Sequence, residues 1–167
     1  MTRICLIGAG SLEWSQLVIT DLLSVFREPI EIRLHDLSAQ RARLAARLGK
    51  RIAAARKRED RFRIVADRRR ALKGVDGVII SVAVGGLEAM QHDLVIPERY
   101  GIFATVGDTS GPGGWARSIR NIPVFQKFAQ DFADLCPTAF IANYTNPMAS
   151  VTAALARECP NPVVGLG

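Results

Sequence analysis

The residues able to do chemistry in this sequence sit mostly at turns. A Gly-Ala-Gly-Ser turn, Gly8 to Ser11, directly follows an apolar run beginning at Ile4. Gly8 permits a tight turn, Gly10 lets a pyrophosphate approach the backbone, and a helix opening at Ser11 offers free N–H groups at the positive end of its dipole. Glu13 stands where the dinucleotide fingerprint has its third glycine, so the turn alone also reads as an ordinary strand-to-helix connection. Asp36, at the end of the next apolar run, makes the difference. A carboxylate there accepts both ribose hydroxyls of adenosine and favours NAD over NADP. Its competing role is a helix N-cap, for which Ser38 is better placed.

Three further groups are candidates for binding. Gly85 and Gly86 follow a continuously apolar run, where backbone without side chains can pass close to a cofactor, or simply turn. The run Val106 to Gly114, including Gly111, Gly113 and Gly114, can form a loop whose N–H groups converge on an anion or a sugar. Arg117 and Arg120 follow one turn apart; they face a carboxylate or phosphate, or lie on solvated surface. In the segment Asn143 to Ala149, Asn143 and Asn146 have the donors and acceptors to recognise sugar hydroxyls; turn chemistry is the equal alternative for Asn143. The two histidines, His35 and His92, lie in different segments, and no nucleophile, paired-carboxylate or metal-ligand signature is present.

These groups need elements to position them. Strands are expected at Ile4 to Gly8, Glu31 to Leu37, Phe62 to Asp67, Gly77 to Val84, Thr138 to Thr145 and Pro162 to Gly167. Helices are expected at Ser11 to about Phe26 with Leu12, Leu17 and Leu22 among its apolar positions, at Ser38 to Arg58, at Glu88 to Tyr100 broken by Pro97, and at Trp115 to Leu135 with a kink or break at Pro123. A short turn fits Asp67 to Leu72, and Pro147 opens a last helix. Strand and helix in alternation predict an α/β fold: Rossmann-like, doubly wound, with a mainly parallel sheet and helices on both faces.

Composition sets the bounds. At 167 residues, 49% hydrophobic and 23% charged, the chain has the length of one domain and can bury a core without staples. Three cysteines without CxxC spacing read as free thiols in a reducing compartment, and no apolar stretch has the length of a signal or membrane segment. We therefore expect a cytoplasmic protein with no membrane partner. Net charge is +6, but residues 41–73 hold 14 Lys/Arg against 3 acids. Leu44, Leu48 and Ile52 recur there as one apolar stripe on a solvated helix. With Phe62 the one aromatic available to stack on a base, no nucleic-acid partner is expected.

The segments GAGS, LHDL, VGGLEAMQHDLVIPERYG, GDTSGPGGWARSIRNIPV and NYTNPMASVTAAL resemble, in order and spacing, glycoside hydrolase family 4. These are NAD- and divalent-metal-dependent glycosidases, including α-galactosidases, α-glucosidases, α-glucuronidases and 6-phospho-glycosidases. The form of the last two segments is more similar to the branch taking unphosphorylated sugars. The resemblance implies NAD as cofactor, a divalent metal of the Mn²⁺ kind, an α-glycoside substrate, and hydrolysis by transient oxidation at C3 and elimination rather than by two carboxylates. It implies that Gly8, Gly10, Ser11 and Asp36 hold the adenine half of NAD, that Gly85, Gly86 and Gly111 to Gly114 line the cofactor cleft, and that Asn146 holds sugar hydroxyls. It further implies a homo-oligomeric full-length form, and a metal-ligand cysteine, a metal-binding histidine and a tyrosine base beyond the sixth strand. The expectation is therefore that residues 1–167 are a cofactor-binding domain with no catalytic or metal-ligating residue, truncated relative to the family and inactive alone. Apolar surface around Val163, Val164 and Leu166 is expected to lie uncovered. The competing reading is a lactate/malate-type NAD-dependent dehydrogenase domain.

Overall fold

The computed structural model describes the backbone of residues 1–167 and every side chain except that of Leu12, so the expected apolar role of Leu12 lies outside the described residues. Its elements are β1 (Arg3–Ile7), α1 (Leu12–Val25), β2 (Glu31–His35), α2 (Ala39–Ala55), β3 (Arg61–Ile64), α3 (Arg68–Leu72), β4 (Gly77–Ile80), α4 (Gly86–Glu98), α5 (Gly111–Leu135), β5 (Phe140–Asn143), α6 (Met148–Glu158) and β6 (Val163–Gly165). The six strands form one sheet in the order β3-β2-β1-β4-β5-β6, with every pairing parallel.

Side-chain alternation along the strands builds two cores. Cys5 and Ile7 of β1 point to the face covered by α3, α5 and α6, where Phe125, Phe132, Val151 and Leu155 are fully buried. Ile4 and Leu6 point to the other face with Ile32 and Leu34, under α1 and α2. Helices on both faces explain why β1 and β4 are apolar on both sides.

The basic helix α2 differs from expectation. Its buried stripe is Ala42, Ala45, Ala46, Gly49 and Ala53, whereas Leu44 is 45% exposed and Leu48 and Ile52 are half-buried. Small residues are needed because the helix lies close to the sheet: a β-carbon at Gly49 would overlap the Phe62 ring. Phe62 is thereby engaged inside the fold. Much of the surrounding charge is also paired. Arg33 and Arg63 meet the buried Glu31, Arg58 meets Asp60, and Arg68 and Arg69 meet Asp131.

Several strands end earlier than the apolar runs suggest, because side chains take over the backbone donors. The expected strand Gly77 to Val84 stops at Ile80, and the Val82 N–H donates to Thr145 Oγ1 at 3.0 Å. The expected strand to Thr145 stops at Asn143, whose Oδ1 accepts from the Thr145 N–H at 2.9 Å. β3 ends at Ile64, Asp67 caps α3 by accepting from the Arg70 N–H, and Ser38 caps α2 as anticipated. Pro147 precedes α6 as its N-cap, while α5 runs unbroken through Pro123. Leu166 is 38% exposed, and Val163 and Val164 are half-buried.

Candidate functional site

The carboxyl ends of parallel strands are where a sheet of this order exposes unsatisfied backbone, and at the meeting of β1 and β4 the flanking connections diverge. Gly8 lies there with φ +85°, and a β-carbon on it would run into the Ser81 carbonyl, so only glycine fits between the two strand ends. The N–H groups of Gly8 and Ala9 both donate to the His35 carbonyl, which binds the turn to β2. Ser11 is the N-cap of α1 and makes no side-chain cap bond, leaving the first turn of the helix open to an external acceptor.

Asp36 joins this turn directly. One carboxylate oxygen accepts from the Gly10 N–H at 2.7 Å and the other from the Ser38 N–H at 2.7 Å. A β-carbon at Gly10 would lie 2.7 Å from both the Asp36 carboxylate and the Arg41 β-carbon. The absence of a side chain at Gly10 therefore has a reason that sequence reasoning did not supply: it makes room for Asp36. Each carboxylate oxygen keeps a second lone pair for an outside hydroxyl. His35, beside it, is buried with Nδ1 3.1 Å from the Val65 carbonyl, a satisfied core histidine.

The other glycines separate into two kinds. Gly85 caps α4 in the left-handed region at φ +85°, and Gly86 and Gly111, at φ +61° and +67°, border open space. Gly113 and Gly114 are buried. The expected loop through Gly114 is corrected here, because α5 starts at Gly111 and takes these glycines into its first turn. Their small size serves packing: a β-carbon at Gly113 would meet the Asp93 carbonyl at 2.6 Å, and one at Gly114 the Thr109 carbonyl at 2.6 Å. The Asp93 carbonyl is free to face Gly113 because Pro97 has no N–H to give it.

Arg120 is neither a ligand-facing cation nor solvated surface. Its guanidinium donates to both oxygens of the buried Asp93 and, through Nε, to the Val84 carbonyl at 3.0 Å, fastening α4 to α5. Arg117 donates to the Asn146 carbonyl at 3.2 Å. Asn143 is fully buried; its amide donates to the Thr145 carbonyl and Thr152 Oγ1 and accepts from the Thr145 N–H, so the structure gives it to the turn rather than to a sugar. Asn146 is half-buried and donates to Asp108 at 2.9 Å. Asp108 and Asp93 are what sequence reasoning missed. Asp108, the acid inside the glycine run, carried a local signal; Asp93 pairs across 27 residues and carried none. Among the described residues no three His, Cys, Asp or Glu side chains are grouped as a metal would require.

Sheet order, glycine turn and acid together define a Rossmann-like domain of the dinucleotide-binding class. More particularly, the chain belongs to the Family 4 glycosyl hydrolases, whose pattern matches residues 3–166. It is 35% identical over 158 residues to an alpha-galacturonidase of Thermoanaerobacter italicus, covering 95% of this chain and 34% of that protein. To an alpha-galactosidase of Rhizobium meliloti it is 39% identical over 166 residues, covering 98% and 34%. The solved 6-phospho-beta glucosidase of Thermotoga maritima, which contains manganese, NAD+ and glucose-6-phosphate, superposes with a TM-score of 0.85 at 26% identity over 99% of this chain and 39% of that one. The chain thus spans about a third of the length of the curated relatives it matches. A malate dehydrogenase of Archaeoglobus fulgidus, 21% identical with a TM-score of 0.71 over 99% of this chain and 49% of that one, shares the fold alone, and the dehydrogenase alternative is the weaker one.

Proposed function

We propose that residues 1–167 are the NAD-binding domain of an α-glycosidase whose catalytic and metal-binding groups are contributed by sequence outside them. The observation that carries this reading is the Asp36 carboxylate held by Gly10 and Ser38 beside the uncapped start of α1. It is supported by the NAD+ in the Thermotoga maritima enzyme and by the relatives' names. α-Galactosides and α-galacturonides are the substrates to test first, in a cytoplasmic homo-oligomer with no membrane or nucleic-acid partner. Among the described residues no helix is long and apolar enough to cross a membrane.

The residues present fit the dinucleotide. The Gly8 to Ser11 turn makes close backbone approach possible, and the N-terminus of α1 attracts the anionic pyrophosphate. Asp36, already oriented by two N–H donors, accepts the two ribose hydroxyls on its remaining lone pairs. Gly85 and Gly86 keep the end of β4 clear for the other half, and Gly111, Gly113 and Gly114 bring α5 against it. Asn146, positioned by Asp108 and Arg117, faces hydroxyls of the sugar. When bound, NAD supplies a hydride acceptor at its nicotinamide ring. Among the described residues no three His, Cys, Asp or Glu side chains are grouped to hold a metal by themselves.

Binding tests the reading without turnover. The full chain is expected to bind NAD more tightly than NADP, because Asp36 repels a 2′-phosphate. Asp36→Ala should weaken NAD by about 10- to 100-fold, the worth of hydrogen bonds to a charged group. Thermal melts without nucleotide separate this loss from damage to the turn. A preference for NADP in the unaltered chain overturns the assignment.

A further inference from the structure

Burial sets one guanidinium apart from the others. Arg33, Arg58, Arg68, Arg117 and Arg120 are half-buried. Four of them face a carboxylate inside the fold: Arg33 meets Glu31, Arg58 meets Asp60, Arg68 meets Asp131 and Arg120 meets Asp93. That is the usual outcome, because a guanidinium withdrawn from water loses hydration that an anion best replaces. Among the described residues Arg117 makes no ion pair. Its one side-chain hydrogen bond runs from Nε to the Asn146 carbonyl at 3.2 Å, and neither terminal nitrogen has an acceptor there. The acid next along the hydrogen-bond chain, Asp108, is used by Asn146 Nδ2 at 2.9 Å and by Thr109 Oγ1 at 3.1 Å. The arginine is also held in place. Buried Asn121 donates to the Arg117 carbonyl at 2.8 Å, and Asn146 leads into α6, so backbone and Nε are fixed between two helices.

We infer that Arg117 binds a carboxylate at C6 of the sugar, which makes the substrate class an α-uronoside rather than a neutral α-hexoside. The inference rests on the proposed reading of Asn146 as a group facing sugar hydroxyls, and deepens it. Nε is committed to Asn146, so the edge of the guanidinium formed by the two terminal nitrogens stands beside the residue that meets the hydroxyls. Two parallel N–H donors on a planar edge match the two oxygens of a carboxylate. Charge favours a monoanion. Arg120, the other arginine of this turn, is neutralised by Asp93, and Asp108 places a negative charge on the side chain of Asn146. One uncompensated guanidinium suits one negative charge, whereas a phosphate ester carries close to two and needs a second cation. A neutral hydroxymethyl group in the same place leaves the guanidinium unpaired, so the wrong substrate is rejected by what it lacks. Arg117 binds and orients; no bond is made or broken on it.

NMR titration of the nitrogen-labelled full chain in the presence of NAD tests this without turnover. The probes are galacturonate, its methyl ester, galactose and galactose 6-phosphate. Galacturonate is expected to bind about 10- to 100-fold more tightly than its ester or galactose, the worth of hydrogen bonds to a charged group. It should also shift the side-chain N–H signals of Arg117, identified by their loss in Arg117→Met. Arg117→Met should bring galacturonate down to the level of galactose while galactose itself holds. Arg117→Lys should restore part of the preference, since it keeps the charge without the fork. Melting curves show whether each variant remains folded. Equal affinity for galacturonate and its ester, an unmoved Arg117 signal, or no binding of any probe overturns the inference. So does an equal loss of galactose and galacturonate in Arg117→Met, which would mean that the arginine only positions Asn146. Tightest binding of galactose 6-phosphate overturns the carboxylate in favour of a phosphate. NAD is titrated first by itself: failure there strikes the nucleotide reading, and the sugar comparison is then run without it.

Discussion

Asp60 shows how one side chain can be held charged inside a fold. Its side chain is fully shielded, yet it accepts from Arg58 Nε at 2.7 Å, from the second Arg58 nitrogen at 2.8 Å and from the Ile30 N–H at 2.8 Å. Burial alone would raise its pKa, but the Arg58 hydrogen bonds and the Ile30 N–H outweigh it and hold the carboxyl below its ordinary value of 3.8. A carboxylate with a depressed folded pKa adds stability at pH values above the unfolded pKa, and that stability is lost as pH falls through the folded value. Arg58 also donates to the Phe26 carbonyl at the end of α1, so the pair joins α1 to the β3 entry. Asp60→Asn is therefore expected to cost about 3 kcal/mol at pH 7. The gap from the unaltered chain should narrow below about pH 4, where the unfolded carboxylate takes up its proton. Urea unfolding at pH 7 and pH 3 measures both; an equal gap at the two would show that the charge of Asp60 contributes nothing.

At the scale of elements, α4 is the helix least secured by apolar contact, and one ion pair does most of its fastening. Asp93 has a side chain 4% exposed against 27% for Arg120, so removing the arginine strands a buried carboxylate. Arg120→Met should destabilise by about 3 kcal/mol, and adding Asp93→Leu should recover much of it, because the desolvation penalty of the pair disappears with the charges. Denaturant unfolding of both singles and the double gives the coupling. Strictly additive losses would mean that α4 is held by something else.

For the whole molecule, the three cysteines report on global opening. Cys5, Cys136 and Cys159 are free, buried and part of one core under α3, α5 and α6. Burial pushes the Cys5 thiol up to about 12 and Cys136 to about 11, and raises Cys159. The thiolate is the reactive form, so a disulfide reagent at pH 8 should label none of them in the folded chain over minutes and all of them in urea. The same shifts carry a sign for alkaline pH. The unfolded chain deprotonates first, so the thiol contribution is complete below about pH 9 and declines as pH rises toward 12. Rapid labelling of any single cysteine under native conditions would refute one common core.

The six-strand alternation, the glycine turn and Asp36 were all legible in the sequence because each depends on local order. An apolar run of four or five residues becomes a buried strand wherever it pairs, and Gly8 is required by the turn it makes itself. What the sequence could not state are distances between segments. Hydrophobicity alone points to Leu44, Leu48 and Ile52 as the stripe of α2, whereas the helix buries Ala42, Ala45, Ala46, Gly49 and Ala53 and approaches the sheet so closely that Gly49 leaves no room for a β-carbon beside Phe62. Gly113 and Gly114 read as part of a loop able to hold an anion or a sugar, and they pack the first turn of α5 closely, Gly113 against the Asp93 carbonyl of α4 and Gly114 against the Thr109 backbone. Asn143 offered equal claims as ligand group and turn residue until Thr145 and Thr152 were seen to use its amide. Asp93 with Arg120 and Asp108 with Asn146 are pairs of ordinary surface residue types, far apart in the chain. Strand, turn and helix follow from short-range sterics and periodicity, which a sequence records residue by residue. Which buried polar groups meet depends on how the helices pack on the finished sheet, and only the tertiary structure contains that.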